Sequence, residues 1–323
     1  MRKLRSTGEQ MIAALKEHAA GTYGEEEGKE ALPQTAATRP LVRSRLRARI
    51  QHRGNVMTIC IAALCEDRKS IVLAADRMVS NYLAQAETSV TKIMKVHDRW
   101  WAMLAGSEPG QILTMLDDLK VAWELNDYPS PADVERDMVE AFRSRRDKKA
   151  EASYVLPLAM SLQEFLVSRQ YLGDQLFEKT LTNVQGVRLD CWVMLCGFDE
   201  KGLGHVLSIE TPGYVTRHDI PGCFAIGSGT TNATVSMYFR GQDYTMPLPK
   251  TAYQIYEAKA YASVAPGVGP LGTEMMVLSS KDESVDGRSL TQAEIDTLDA
   301  MWRAQSDLPS DLDRRVSAIL SVK

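Results

Sequence analysis

The sequence contains no CxxC pair, although it holds five cysteines: Cys60, Cys65, Cys191, Cys196 and Cys223. Without that spacing a zinc site is not expected, and buried reduced thiols are the simpler reading. The five histidines (His18, His52, His97, His205, His218) are scattered and show no metal-binding spacing. No apolar run approaches the roughly 18 residues of a membrane helix, so no membrane contact is expected. No apolar core of 7–15 residues follows the basic N-terminus, which argues against a secretory signal. Together with the unpaired thiols, this points to a cytoplasmic protein. The stretch "GSGTTNAT" lacks the Gly-x-x-x-x-Gly-Lys pattern of a phosphate loop. No internal repeat is evident.

What is present is ordinary globular composition, 44% apolar and 25% charged. The charge is unevenly spread. Residues 1–56 carry 11 Lys/Arg and 6 Asp/Glu, net +5, whereas the remainder carries 27 and 36, net −9. The leading segment is compositionally foreign to the rest of the chain. Within it, Leu4, Met11, Ile12 and Leu15 suit an amphipathic helix over 1–19. "GTYGEEEGKEALPQTAATRP" reads as linker, and "LVRSRLRARIQHR" reads as a solvated basic run in preference to a nucleic-acid contact.

From Met57 the texture changes. "TICIAAL" is apolar at every position after the threonine and "IVLAAD" is apolar up to its closing Asp76, which predicts strands covered on both faces. The polar "CEDRKS" between them predicts a hairpin. "SVTKIMKV" and "RWWAMLAG" predict two more strands turning at "HD", with Trp100 and Trp101 as core residues. "SEPGQILTMLDDLKVAWEL" predicts a helix with Ser107 as N-cap. "SPADVERDMVEAFRSRR" predicts a second helix capped by Ser130, and "YVLPLAMSLQEFLVSRQYL" its helical continuation. Strands are predicted again at "DCWVMLCGFD", "GHVLSIET" and "CFAIGSG", helices at "TTNATVSMYFRG" and "LPKTAYQIYEAKAYASVA", and a strand at "TEMMVLSS". A C-terminal helix in "SLTQAEIDTLDAMWRAQ" is expected to be capped by Ser289. Runs of strands separated by runs of helices do not fit βαβ units. They fit an α+β fold: two stacked antiparallel sheets with helical layers outside, a four-layer αββα sandwich over 58–323 behind an extension over 1–57.

Three features lie in or at the end of predicted strands: Asp76 in "VLAADRMVS", Lys92 in "SVTKIMKV" and Gly106 in "MLAGSEPG". With "TICIAAL" in front and "FAIGSGTTNA" and "GVGPLGTEMMVLS" behind, this ordered set resembles the proteasome β-type subunits. Those are N-terminal-nucleophile hydrolases, and the simpler bacterial proteasome-like peptidases are the nearest in kind. The resemblance covers about residues 58–280. It implies an Ntn-hydrolase fold and a threonine endopeptidase, with no metal and no cofactor.

By the same resemblance, Thr58 is the nucleophile, and its free α-amine, directly or through water, takes the hydroxyl proton. An α-amine with an ordinary pKa near 8 is a workable base at neutral pH. Thr58 must therefore become the first residue of the mature chain. Either Met57 is the start and is removed, or 1–57 is a propeptide cut away; the first is favoured. Lys92 stabilises the alkoxide, Asp76 orients Lys92, the Gly106 N–H is the oxyanion donor, and Ser228 supports the amine. Ser80 pairs with an extended peptide. Val79, Val90, Met94, Leu104 and Glu108 surround the side chain before the cut, which implies apolar preference.

The implied partners are a peptide or unfolded-protein substrate, further copies in a homo-oligomeric ring and an ATP-dependent unfoldase. Two rivals keep the fold. One is a catalytically silent ring subunit that retains its extension; the other is an Ntn amidohydrolase acting on small amides. The chain departs from the family in two places. "AYASVAPGVGPLG" has no Asp and only Ser263 where the family has an acidic residue and a second serine. The helical region 125–185 is also longer than in a plain proteasome subunit.

Overall fold

The structure is a computed structural model. It describes residues 58–80, 85–87, 91–265, 268–269, 272–281 and 284–306. The expectations for residues 1–57, and the place of Val90, lie outside the described residues. In chain order the strands are β1 (Ile59–Cys65), β2 (Ser70–Asp76), β3 (Met78–Ser80), β4 (Gln85–Glu87), β5 (Ile93–His97), β6 (Trp100–Gly106), β7 (Cys191–Phe198), β8 (Gly204–Glu210), β9 (Tyr214–Arg217), β10 (Cys223–Gly227), β11 (Thr273–Lys281) and β12 (Ser284–Ser289). The helices are α1 (Pro109–Trp123), α2 (Pro131–Ala150), α3 (Leu162–Val167), α4 (Arg169–Leu172), α5 (Asp174–Gly186), α6 (Thr230–Phe239), α7 (Leu248–Ala262) and α8 (Gln292–Ser306). No helix among the described residues is long and apolar enough to cross a membrane.

The strands form two antiparallel sheets of five, ordered β10-β1-β2-β11-β12 and β5-β6-β7-β8-β9, plus the small β3-β4 pair. β1 and β2 form the expected hairpin, with Cys60 opposite Ala75 and Cys65 opposite Ser70. Both strands are buried at every residue, as their unbroken apolar runs require. Side-chain alternation sends the two faces of β1 into different cores. Cys60, Ala62 and Leu64 join Leu73, Trp101, Met103, Met194 and Phe198, a cluster drawn from both sheets. Ile59, Ile61 and Ala63 join Ala233 and Met237 of α6, Ile255 and Ala258 of α7 and Ile295 of α8. A third cluster sets Trp100, Ala102 and Val193 against Ile112, Leu116 and Trp123 of α1 and Val134, Met138 and Phe142 of α2. Trp100 and Trp101, neighbours in the chain, thus serve opposite faces of one sheet.

Helix starts follow local chemistry, with two corrections. Ser130 caps α2 in a full capping box with Asp133, as expected. Ser107 does not cap α1. The cap position is Glu108, without a side-chain cap bond, because the Ser107 hydroxyl is drawn to the Asp190 carboxylate. Ser289 does not cap α8 either: it is the last residue of β12, paired with Met276. Thr291 takes the role, its N–H and hydroxyl both donating to the Glu294 carboxylate. The continuation after α2 is not one helix. A π-turn over Glu151–Val155 and a 3₁₀ turn over Leu156–Leu158 end at Ala159, whose φ is 59°. Ser161 then caps α3, and Val155, Phe165 and Phe177 form a small separate core beneath this region.

Candidate active site

The end of β2 is where the apolar rule breaks. After Ser70–Ala75 the strand closes on Asp76, whose side chain is wholly buried. A buried carboxylate is costly unless hydrogen bonds and a counter-charge surround it. Asp76 has both. Its Oδ1 accepts from the Thr58 hydroxyl at 2.7 Å, the Ile59 N–H at 3.0 Å and Lys92 Nζ at 2.7 Å. Its Oδ2 accepts from the Gly269 N–H at 3.1 Å. The β1–β2 register brings the start of β1 beside the end of β2, and Lys92, just before β5, reaches across from the second sheet.

Lys92 Nζ also donates to Thr58 Oγ1. The threonine oxygen therefore sits between a carboxylate and an ammonium. The lysine side chain is only 12% exposed, so its charge acts on the oxygen with little screening by water. This arrangement favours negative charge developing on Oγ1. Ser228 is close by, its hydroxyl donating to the Thr58 carbonyl at 3.3 Å. Just before it, Gly227 lies at φ +109°, and a Cβ there would come within 2.2 Å of the Thr58 carbonyl oxygen. Only glycine permits that approach. The Cys60 thiol on β1 is not reactive: burial pushes it up to about 12, leaving negligible thiolate at neutral pH.

Gly106 ends β6 at φ +141°, with Asp190 so close that a Cβ would meet its carbonyl oxygen at 2.3 Å. The next turn is held by the Ser107 N–H donating to the Asp190 carbonyl at 3.1 Å. The expected pocket residues divide. Met94 and Leu104 are half-buried on one face of the second sheet, against the core shared with α1 and α2. Glu108 is turned instead to an ion pair with Lys149 at the end of α2, and it accepts the Asp190 N–H at 3.2 Å. Val79 and Ser80 lie on β3, opposite Ala86 and Gln85.

Three residues at the site were not anticipated. Glu274 on β11 accepts the Lys92 N–H at 3.0 Å and the Thr91 hydroxyl. Gly269 donates its N–H to Asp76. Lys259 on α7, almost completely buried, donates to the Gly269 carbonyl at 2.9 Å. The sequence did carry a signal for two of them. Glu274 interrupts the inward series Glu274–Met276–Leu278 of an apolar strand. Lys259 falls on the buried stripe of α7 with Ile255, Ala258 and Ala262.

No protein-family model matches the chain, and a comparison with curated proteins gives no match.

Proposed function

We propose that the protein is a threonine-type peptidase of the N-terminal-nucleophile kind, with Thr58 as its nucleophile. The observation that carries this reading is the placement of Thr58 Oγ1 between Asp76 Oδ1 and Lys92 Nζ. The three core clusters support the four-layer αββα order, since one is shared by the two sheets and one lies between each sheet and its helices.

The reaction begins once the chain starts at Thr58, by a cut after Met57. The freed α-amine accepts the Oγ1 proton, directly or through a water. Oγ1 attacks the scissile carbonyl carbon, and the Lys92 ammonium stabilises the charge on Oγ1 until the bond forms. The carbonyl electrons move to oxygen, where the Gly106 N–H is the proposed donor. The intermediate collapses, the C–N bond breaks, and the leaving amine takes the proton held by the α-amine. Water then hydrolyses the Thr58 ester with the α-amine again as base. Asp76 holds Lys92 aimed at Oγ1. Met94 and Leu104 are apolar, which fits an apolar side chain before the cut. Assembly into a homo-oligomeric ring and feeding by an ATP-dependent unfoldase belong to the same proposal and rest on the resemblance alone.

The test is hydrolysis of a panel of fluorogenic peptides by the wild-type protein and by Thr58→Ala. The reading requires turnover that disappears in Thr58→Ala. Thr58-dependent hydrolysis confined to small amides would move the substrate class. No Thr58-dependent hydrolysis of either would favour a silent subunit.

A further inference from the structure

The alternation of β11 places Glu274 on the face that carries Met276 and Leu278, both packed in the cluster shared by the two sheets. In register it lies opposite Ala75, the neighbour of Asp76. A carboxylate on such a face needs partners, and those it has lie on the other sheet. Its two oxygens take the hydroxyl of Thr91 and the backbone N–H of Lys92, the latter at 3.0 Å. Glu274 is thus a clasp from the first sheet onto the two residues that lead into β5. It grips Lys92 by its backbone, while Asp76 and Thr58 engage the same residue by its side chain.

We infer that Glu274 is a positioning residue for the Thr58 site, one that sets where the Lys92 ammonium can reach. The inference rests on the reading of Thr58 as nucleophile. A lysine side chain has four rotatable bonds, so its head is placed only as well as its backbone is placed. Asp76 and Thr58 fix the ammonium from the far end. With Glu274 fixing the near end as well, the lysine is held at both ends. Burial supports the assignment, because the Lys92 side chain is only 12% exposed, and a lysine that loses its backbone anchor has water within reach. Glu274 touches neither Thr58 nor the reacting atoms, so its effect is exerted through Lys92.

The test compares wild type, Thr58→Ala, Glu274→Ala, Glu274→Gln and Glu274→Asp, each as the chain that begins at residue 58, on one fluorogenic peptide, together with the crystal structure of Glu274→Ala. Glu274→Ala is expected to lower kcat by about 100-fold, the usual scale for an ångström of misplacement, with KM changed by less than about twofold. In its crystal structure Lys92 Nζ should lie beyond about 4 Å from Thr58 Oγ1. Glu274→Gln, which keeps an acceptor oxygen, should restore part of the rate, and Glu274→Asp less. Wild-type kcat in Glu274→Ala, with Lys92 unmoved, would overturn the inference and leave Thr58 as nucleophile. An equal rate loss in Ala, Gln and Asp variants that tracks a lower Tm, with Lys92 still on Thr58, would overturn it as well. If Thr58→Ala retains wild-type turnover, the reading of the site fails instead. The Lys92 position in the Glu274→Ala crystal then still decides whether the clasp places the lysine.

Discussion

At the scale of single residues, the site is a small set of charges that depend on one another. Asp76 is buried because Thr58, Ile59, Lys92 and Gly269 all donate to it. Removing one charge leaves the other uncompensated, which is where buried pairs become expensive. Lys92→Ala and Asp76→Asn are each expected to reduce kcat/KM by at least about 10³-fold, and Thr58→Ser to retain measurable turnover. Steady-state rates on one peptide check all three. Thr58→Ser retaining nothing while Lys92→Ala remained active would reverse the roles given to these groups. Gly227 belongs to the same scale. Its Cβ-free approach to the Thr58 carbonyl means that Gly227→Ala must displace the start of β1. A cost of about 3 kcal/mol is expected, read from urea unfolding, together with loss of activity.

At the scale of elements, caps and burial make separable predictions. Ser130→Ala removes the side-chain half of the α2 capping box, leaving the backbone N–H of residue 130 on the Asp133 carboxylate, and should cost about 1 kcal/mol of stability without changing kcat. His218 stacks on Phe224 with ring centroids 3.6 Å apart, and its Nε2 meets the Ser208 hydroxyl at 2.8 Å. Burial lowers its pKa from 6.5 to about 4, against the pull of neighbouring Asp219. In the unfolded chain the imidazole takes up its proton near pH 6.5, and in the folded chain only near 4. Stability from this group is therefore full above about pH 6.5 and is lost as the pH falls toward 4. Thermal unfolding at pH 7 and pH 4.5 checks this: wild type should lose more Tm over that interval than His218→Gln. The elements also differ in how far the sequence announces them. β1, β2 and β6 were legible because long apolar runs between polar turns leave few alternatives. Asp76 and Lys92 were legible through the family resemblance and their joint spacing, since a strand-end Asp or a strand Lys taken alone reads as a turn or surface residue. β9 and β12 were not legible: Tyr214–Arg217 and Ser284–Ser289 are largely exposed, and only their neighbours in the sheet make them strands. The caps of α1 and α8 were misplaced for a related reason. Ser107 and Ser289 look like caps locally, but a tertiary partner claims one and a sheet register claims the other. Glu274 escaped notice because its role lies in a contact 182 residues distant in sequence.

At the scale of the whole molecule, two sheets packed face to face bring together residues from β1, the end of β2, the approach to β5 and the start of β11. No single segment carries the site. The reading requires residues 1–57 to be absent from the active form, because Thr58 has no α-amine while Met57 is bound to it. The expected apolar pocket and a ring assembly belong to the same reading. Size-exclusion chromatography with light scattering should give a mass several times that of one chain; a monomer would remove the ring from the account. The most direct measurement is the intact mass and N-terminal sequence of the active protein. The account predicts a chain that begins at Thr58 with a free amine. An active protein that retains Met57 ahead of Thr58 would contradict it.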